Sequence, residues 1–206
     1  MPTHPLWRPF APVNADRARH RVASRQTPPG PLGTDHLGWA ADYEHIERLI
    51  RAAIREQILD LAHVGSTAVP HLLAKPVIDV DLIVPDVADE NAYLPALADA
   101  GFRLIFGDDI AGDAHRQLTL AHPNANLHVW GPGAVEPRRH VLFAAWLRGH
   151  PDDLELYAEA KREALEPGVA SYNDAKAAVV YDIYERAFEA DPAHPHDPRP
   201  RVGRRN

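Results

Sequence analysis

A chain of 206 residues, 45% hydrophobic and 25% charged, has the size and balance of one soluble domain with appendages. Its net charge of −7 argues against a nucleic-acid scaffold, for which a clustered basic face is expected, and the absence of cysteine removes disulfide, thiolate–zinc and cysteine-nucleophile chemistry together. No apolar run approaches the roughly 20 residues a membrane span needs, the first ten residues lack a charged-then-apolar secretory layout, and a cytoplasmic location is expected.

Residues 1–36 are rich in Pro, Arg and Ala and read as an extension that is poorly ordered or wrapped over the surface. From Trp39 the pattern changes. Trp39, Tyr43, Ile46, Leu49, Ile50 and Ile54 recur at helical spacing, and this helix ends before Leu59. A short strand, Leu59 to Val64, runs into Gly65-Ser66-Thr67. Val77 to Val84 alternates aliphatic and acidic residues and is predicted as a strand closed by Pro85. Glu90 to Ala100 reads as a helix ended by Gly101. Strands are predicted at Phe102–Phe106, Gln117–Ala121 and Asn126–Trp130, the last two joined by the turn-forming His-Pro-Asn-Ala-Asn segment.

Beyond Pro137 the chain reads as helical. One helix covers Arg139 to Gly149. Pro151 opens the next, with Asp152 and Asp153 in its first turn and Lys161 and Arg162 near its end, as the helix dipole favours. Ser171 or Asn173 caps a third that reaches about Ala190. Residues 191–206 read as a solvated, disordered basic tail. The organisation is thus an α/β core over 37–136, a helical lobe over 137–190, and two extensions.

The chemistry concentrates around the strand at 77–84. Side chains alternate faces along a strand, so Asp79 and Asp81 point one way while Ile78, Val80 and Leu82 point the other, into a core. Two adjacent carboxylates on so aliphatic a strand repel each other, and burying them unpaired costs several kcal/mol. A hard divalent cation offsets this best, because magnesium binds through one or two carboxylates plus substrate phosphates. Upstream, Gly65 lets the backbone approach a ligand closely, Ser66 offers a hydroxyl, and the amides of Ser66 and Thr67 can point at an anion. A phosphate cradle and a carboxylate pair, 13 residues apart from Ser66 to Asp79, are what a metal–triphosphate site requires. The rival reading of the two acids is a solvated face of an edge strand.

The segment HVGSTAVPHLLAKPVIDVDLIV resembles the signature block of the GrpB family, and the resemblance continues in order through AGFRL, NLHVW, FAAWLRGHPDDLELYAEAKREAL and YNDAKAAVV, over roughly residues 39–188. It implies a nucleotidyltransferase-like α/β (α+β) fold, a mixed β-sheet flanked by helices with a C-terminal helical lobe. It also implies roles: Gly65 and Ser66 as the phosphate-binding pair, Asp79 and Asp81 as metal carboxylates for Mg2+ or Mn2+. The activity implied is nucleotidyl transfer from a nucleoside triphosphate to a small-molecule acceptor, with a catalytically degenerate nucleotide- or phosphometabolite-binding module as the alternative. Nucleotidyltransferases often carry a third carboxylate on a neighbouring strand. Here His128 occupies that place, with Asn126 two residues earlier on the same face. A neutral histidine could ligate a metal or act as a base, or it could simply close the sheet edge. Lys75, Arg148, Lys161 and Lys176 lie in the family blocks and could meet phosphate, while Tyr157 and Tyr172 read as packing residues. Three departures stand out: His71 where the family has glycine, Ala62 where it has an acid, and Ala144-Ala145 where it has arginine and aspartate.

Overall fold

The computed structural model describes residues 2–9, 19–165 and 172–197. Ser171, one of the two candidate caps for the last helix, and residues 198–206 of the tail lie outside the described residues.

Helix α1 (His36–Ile54) starts where the Asp35 side chain accepts the Gly38 amide at 3.1 Å, satisfying one of the orphan donors of a helix start. Trp39, Ile46, Ile50 and Ile54 form its buried stripe. Strand β1 (Asp60–Val64) leads into a tight turn at Ser66–Ala68, and β2 (Ile78–Ile83) follows. Helix α2 (Leu94–Asp99) is shorter than the sequence pattern suggests. Pro95 cannot donate a hydrogen bond into the preceding turn, so Glu90–Ala92 forms a separate 3₁₀ turn. Gly101, at φ +96°, ends the helix as expected.

Strands β3 (Arg103–Ile110), β4 (Asp113–Leu120) and β5 (Ala125–Trp130) complete a five-stranded sheet of order β1-β2-β5-β4-β3. Only the β2–β5 pair is parallel. β3 and β4 are each about one turn of pairing longer than the sequence reading, and they form a two-residue hairpin through Ala111 and Gly112, both at positive φ. That pair of conformations is the type I′ turn, whose twist matches the strands it joins. The sequence hid the extension because Asp108, Asp109, Asp113, His115 and Arg116 interrupt the apolar alternation.

One sheet face supplies Val80, Leu82, Leu127 and Val129 to a core completed by α1 and α2. Each such side chain, fully buried, contributes about 1.5–3 kcal/mol. The second layer is the lobe of α3 (Val135–Gly149), α4 (Pro151–Glu163) and α5 (Tyr172–Glu189). α3 begins earlier than expected because Pro137 is tolerated in a first turn. Asp153 ties the lobe together, accepting from Trp146 Nε1 at 2.6 Å and Arg186 Nε at 3.1 Å. Val69 and Leu72, just after the Ser66 turn, pack among Ala144, Leu147, Tyr157 and Ile183. The lobe is therefore anchored to the turn itself.

The described parts of the N-terminal extension lie on this body. Leu6 packs with Tyr184 and Phe188. Val22 and Arg21 pair with the β3 edge at Ile105 and Phe106, and Gly33 exchanges two backbone hydrogen bonds with Ala74 at 2.8 and 2.9 Å. No helix among the described residues is long and apolar enough to cross a membrane.

Candidate active site

Strand partners share a face, so the register assembles the polar side of the sheet row by row. Asp79 stands beside Asn126 and Thr119, and Asp81 beside His128 and Gln117. Ile83 aligns with Trp130, His115 and Asp108. The lobe covers part of this face and leaves a cavity of about 360 Å³ bordered by Gly65, Asp79, His128, His140, Asn173 and Lys176. A neighbouring cavity of about 320 Å³ shares Gly65, His140, Asn173 and Lys176 and extends to Ser66 and Tyr157.

Gly65 earns its place by geometry. Its backbone sits at φ +70°, ψ −164°, a region open essentially to glycine alone. A Cβ there would lie 2.6 Å from Asp79 Oδ2. The turn from β1 can thus pass directly against the carboxylate of β2 only without a side chain. Ser66 follows, its Oγ accepting from Lys161 Nζ at 2.6 Å. Thr67 turns inward instead: it is buried, with Oγ1 at 3.0 Å from His63 Nε2 and donating to the Val77 carbonyl at 3.4 Å.

The two acids share a face but not an environment. Asp79 remains about a third exposed at the cavity, with side-chain exposure of 31%. Its Oδ1 accepts from Asn126 Nδ2 at 2.7 Å and lies 4.0 Å from His128 Nε2. Asn126 is oriented in turn by Arg25 of the extension and by Gln117, which both donate to its Oδ1. Burial pushes the Asp79 carboxyl up, against the opposing pull of Asn126, Lys176 and His140. Asp81 is sealed: Oδ1 accepts from Trp130 Nε1 at 2.9 Å, and Oδ2 lies 2.7 Å from His140 Nδ1. Burial would raise it too, but the charge and hydrogen bond of His140 outweigh that and hold it below the usual carboxylate range. Reciprocally, burial lowers His140, but Asp81 more than compensates and raises it. Asp81 borders a different cavity, of about 530 Å³, which also touches Ala62 and Ala145.

Of the four basic residues singled out from sequence, two reach the site. Lys161 is 1% exposed, bonds Ser66 Oγ and the Leu73 carbonyl (2.7 Å), and lies 4.3 Å from the centre of the Tyr157 ring. Burial, and then the charge of Lys176, pull its ammonium down to about 6. Lys176 borders both cavities and stands 3.5 Å from the Tyr157 hydroxyl. Lys75 stacks 3.7 Å from the Tyr172 ring centre, and Arg148 donates to the Ala68 carbonyl at 2.7 Å, on the turn and outside the cavity lining.

A family model described as GrpB protein matches residues 34–186. The chain belongs to the GrpB family. Within that family's relatives, a UPF0157 protein of Halalkalibacterium halodurans is 36% identical over 152 residues, covering 72% of this chain and 77% of the relative. A UPF0157 protein of Streptomyces coelicolor is 35% identical over 155 residues, covering 74% and 81%. Among solved structures, GrpB from Enterococcus faecalis aligns with a TM-score of 0.64 at 24% identity, over 74% of this chain and 93% of that one. The GLD-2/RNP-8 complex aligns at a TM-score of 0.49 and 14% identity, too distant to bear on function. The GrpB model begins at residue 34, so Arg25, which reaches Asn126 at the site, comes from outside the family domain.

Sequence reading missed His140, Trp130, Asn173 and Arg25. His140 lies 59 residues from Asp81, inside a helix whose periodicity marked it only as helical. Nothing in the local pattern announces such a partnership. Asp108 and His115 escape a sequence reading for a different reason: the charged residues around the hairpin hide the strand alternation there.

Proposed function

We propose that this chain transfers a nucleotidyl group from a nucleoside triphosphate to a small acceptor bearing a hydroxyl, phosphate or amine, with a divalent cation held at Asp79 and the buried charge of Asp81 behind it. The observation that carries the reading is the close apposition of Gly65 to Asp79 Oδ2, where a Cβ would intrude at 2.6 Å, with Ser66 and two lysines gathered beside it. A cradle for phosphate and a carboxylate facing the same cavity is the arrangement that in-line displacement at a phosphorus centre needs.

The donor set suits a hard cation. Asp79 offers carboxylate oxygen at the cavity, and Asp81, held by Trp130 and His140 beneath it, adds negative charge to the same strand face. Magnesium, when bound, would neutralise charge developing on the leaving pyrophosphate. The chain's own residues do the rest. Ser66 and Lys161 bind terminal phosphate oxygens at the turn, and Lys176 attracts the phosphate tail from the lobe side. Asn126, steered by Arg25 and Gln117, fixes the rotamer of Asp79.

Titration calorimetry with magnesium and each triphosphate tests the reading. The Asp79→Asn, Asp81→Asn double variant is expected to lose metal-dependent triphosphate binding while keeping its fold by circular dichroism. Unchanged binding would defeat the assignment.

A second reading, a binding module that has lost catalysis, is favoured by the sealing of Asp81 behind Trp130 and His140. Release of pyrophosphate from radiolabelled triphosphates in the presence of candidate acceptors separates the two.

A further inference from the structure

A serine and a buried lysine meet at the turn after β1. Ser66 is half-buried and borders the cavity of about 320 Å³. Lys161 stands behind it, 1% exposed. Ser66 Oγ and Lys161 Nζ are 2.6 Å apart, and the Leu73 carbonyl, 2.7 Å from Nζ, holds the amine from a second direction. The Tyr157 ring covers the amine, its centre 4.3 Å away. The fold builds this pair from two segments. The positive φ of Gly65 swings Ser66 away from β1, and Val69 and Leu72 anchor the same turn to the lobe whose helix α4 carries Lys161.

An amine buried with no carboxylate among its hydrogen-bond partners favours its neutral form. Burial, and then the charge of Lys176, bring Lys161 down to about 6, so near neutral pH it is a free base. The groups that bear on its proton are Lys176 on α5, Asp79 on β2 and, on its own helix, Tyr157. A neutral amine has two N–H groups and one lone pair. One N–H serves the Leu73 carbonyl, and the lone pair can take the proton of the Ser66 hydroxyl. A hydroxyl at a cavity, a base within hydrogen-bond reach and a third group that orients the base are the parts of an activated nucleophile, and serine–lysine pairs are one of its known forms.

The cavity says what the nucleophile meets. Leu72, Phe143, Leu147 and Val180 line it, which suits a short apolar chain. Lys176 borders it too. Burial lowers the Lys176 ammonium, but Tyr157 and Tyr172 more than compensate and raise it, so a fixed positive charge faces the place where an oxyanion would form.

We propose that Ser66 is a nucleophile and Lys161 its general base, which together take the acyl group of a small apolar ester in this cavity and pass it to water. Oγ attacks the ester carbonyl as its proton moves to Lys161 Nζ. The carbon–alkoxy bond then breaks, and the leaving alcohol takes that proton. Water, deprotonated by the same amine, attacks the acyl-serine, the Oγ–carbon bond breaks, and Oγ recovers the proton. This activity needs neither a cation nor a triphosphate, so it stands or falls apart from nucleotidyl transfer.

The test uses the full chain with a metal chelator present. A fluorophosphonate, which loses fluoride to an activated serine, is expected to label Ser66, located by peptide mass spectrometry. p-Nitrophenyl butyrate is expected to be hydrolysed. Lys161→Met is expected to slow both reactions about 10²–10⁴-fold, the usual contribution of a general base. In the wild type the labelling rate is expected to rise about tenfold per pH unit and level off above a midpoint of about 6. This profile needs no variant, so it decides the matter even if Lys161→Met does not fold. Labelling of a lysine in place of Ser66 would overturn the proposal. So would p-nitrophenolate release no faster than that of Ser66→Ala, or a labelling rate that keeps climbing through about pH 9 as an unassisted hydroxyl would.

Discussion

Lys161 shows how far a single residue can be from what its letter implies. On the sequence it is a late-turn helix cation placed to suit the dipole. In the fold its ammonium is buried against Ser66 Oγ and the Leu73 carbonyl, with no carboxylate among these hydrogen-bond partners. Desolvation penalises the charged form, so the group falls from 10.5 to about 6, with Lys176 adding to the shift. Since folding lowers this pKa, the folded chain gains stability as pH rises from about 6 toward 10.5, where the unfolded chain still holds the proton. Near pH 7.5 the amine is mostly neutral. A phosphate arriving at Ser66 would restore its charge, so triphosphate binding is expected to take up close to one proton. Calorimetry in buffers of different ionisation enthalpy measures this, and Lys161→Met is expected to abolish the uptake. His63 follows the same logic: burial, then Arg148, take it down to about 4, so it serves as a neutral partner for Thr67.

At the scale of elements, the β3–β4 hairpin decides which polar groups reach the site. Its turn puts Ala111 at φ 54° and Gly112 at φ 92°. Glycine takes that conformation freely, but alanine there costs roughly 1–2 kcal/mol. Ala111→Asn supplies the residue type I′ turns prefer at that position. It is expected to stabilise the chain by about 0.5–1 kcal/mol, read as a rise of a few degrees in melting temperature. A loss of stability would mean the hairpin does not adopt this turn. The contact between α3 and β2 is another element-level decision. His140 on the helix holds Asp81 on the strand at 2.7 Å. His140→Leu would leave Asp81 Oδ2 buried without the His140 partner, Trp130 Nε1 still donating to Oδ1, at a cost of about 2 kcal/mol. Chemical denaturation measures that loss.

At the scale of the whole molecule, the described residues near the two ends, around His4 and around Asp191, are clasped together. His4 Nε2 and His194 Nδ1 both meet Asp191 Oδ2, at 3.1 and 2.8 Å, while His196 accepts the His4 amide at Nδ1 and lies 2.7 Å from Glu185 at Nε2. His4, Asp191 and His194 are close enough to hold a metal. Hydrogen bonding argues for a metal-free clasp instead: the Leu6 amide donates to His4 Nδ1, so the ring proton of neutral His4 sits on Nε2 and is given to Asp191. The His194 hydrogen bond, then the Ala193 amide and His4, hold the Asp191 carboxyl down to about 2. Folding lowers an acid here, so the clasp contributes above the ordinary carboxylate range and is lost as pH falls through about 2. Asp191→Ala at neutral pH is expected to speed hydrogen exchange at the Leu6 and Trp7 amides several-fold while the core amides of β2 and β5 keep their protection. Unchanged exchange at Leu6 would show that the apolar seat of Leu6 on Tyr184 and Phe188 holds the N-terminus by itself.

Local patterning is enough to determine a helix from Trp39, the body of the helix at 139–149, the helix opened by Pro151, the alternation of β2 and the Gly65-Ser66 turn, because each is written in residues close together in the chain. The same patterning put Asp79 and Asp81 on one face of β2. What the tertiary structure decided is how those acids differ. His140, Trp130, Asn126 and Arg25 come from four other segments, and only the sheet register and the docking of α3 bring them to the carboxylates. A pair of aspartates two residues apart reads alike at both positions in the sequence. Their separate hydration, partners and proton affinities arise from packing contacts between distant segments, which no local pattern encodes.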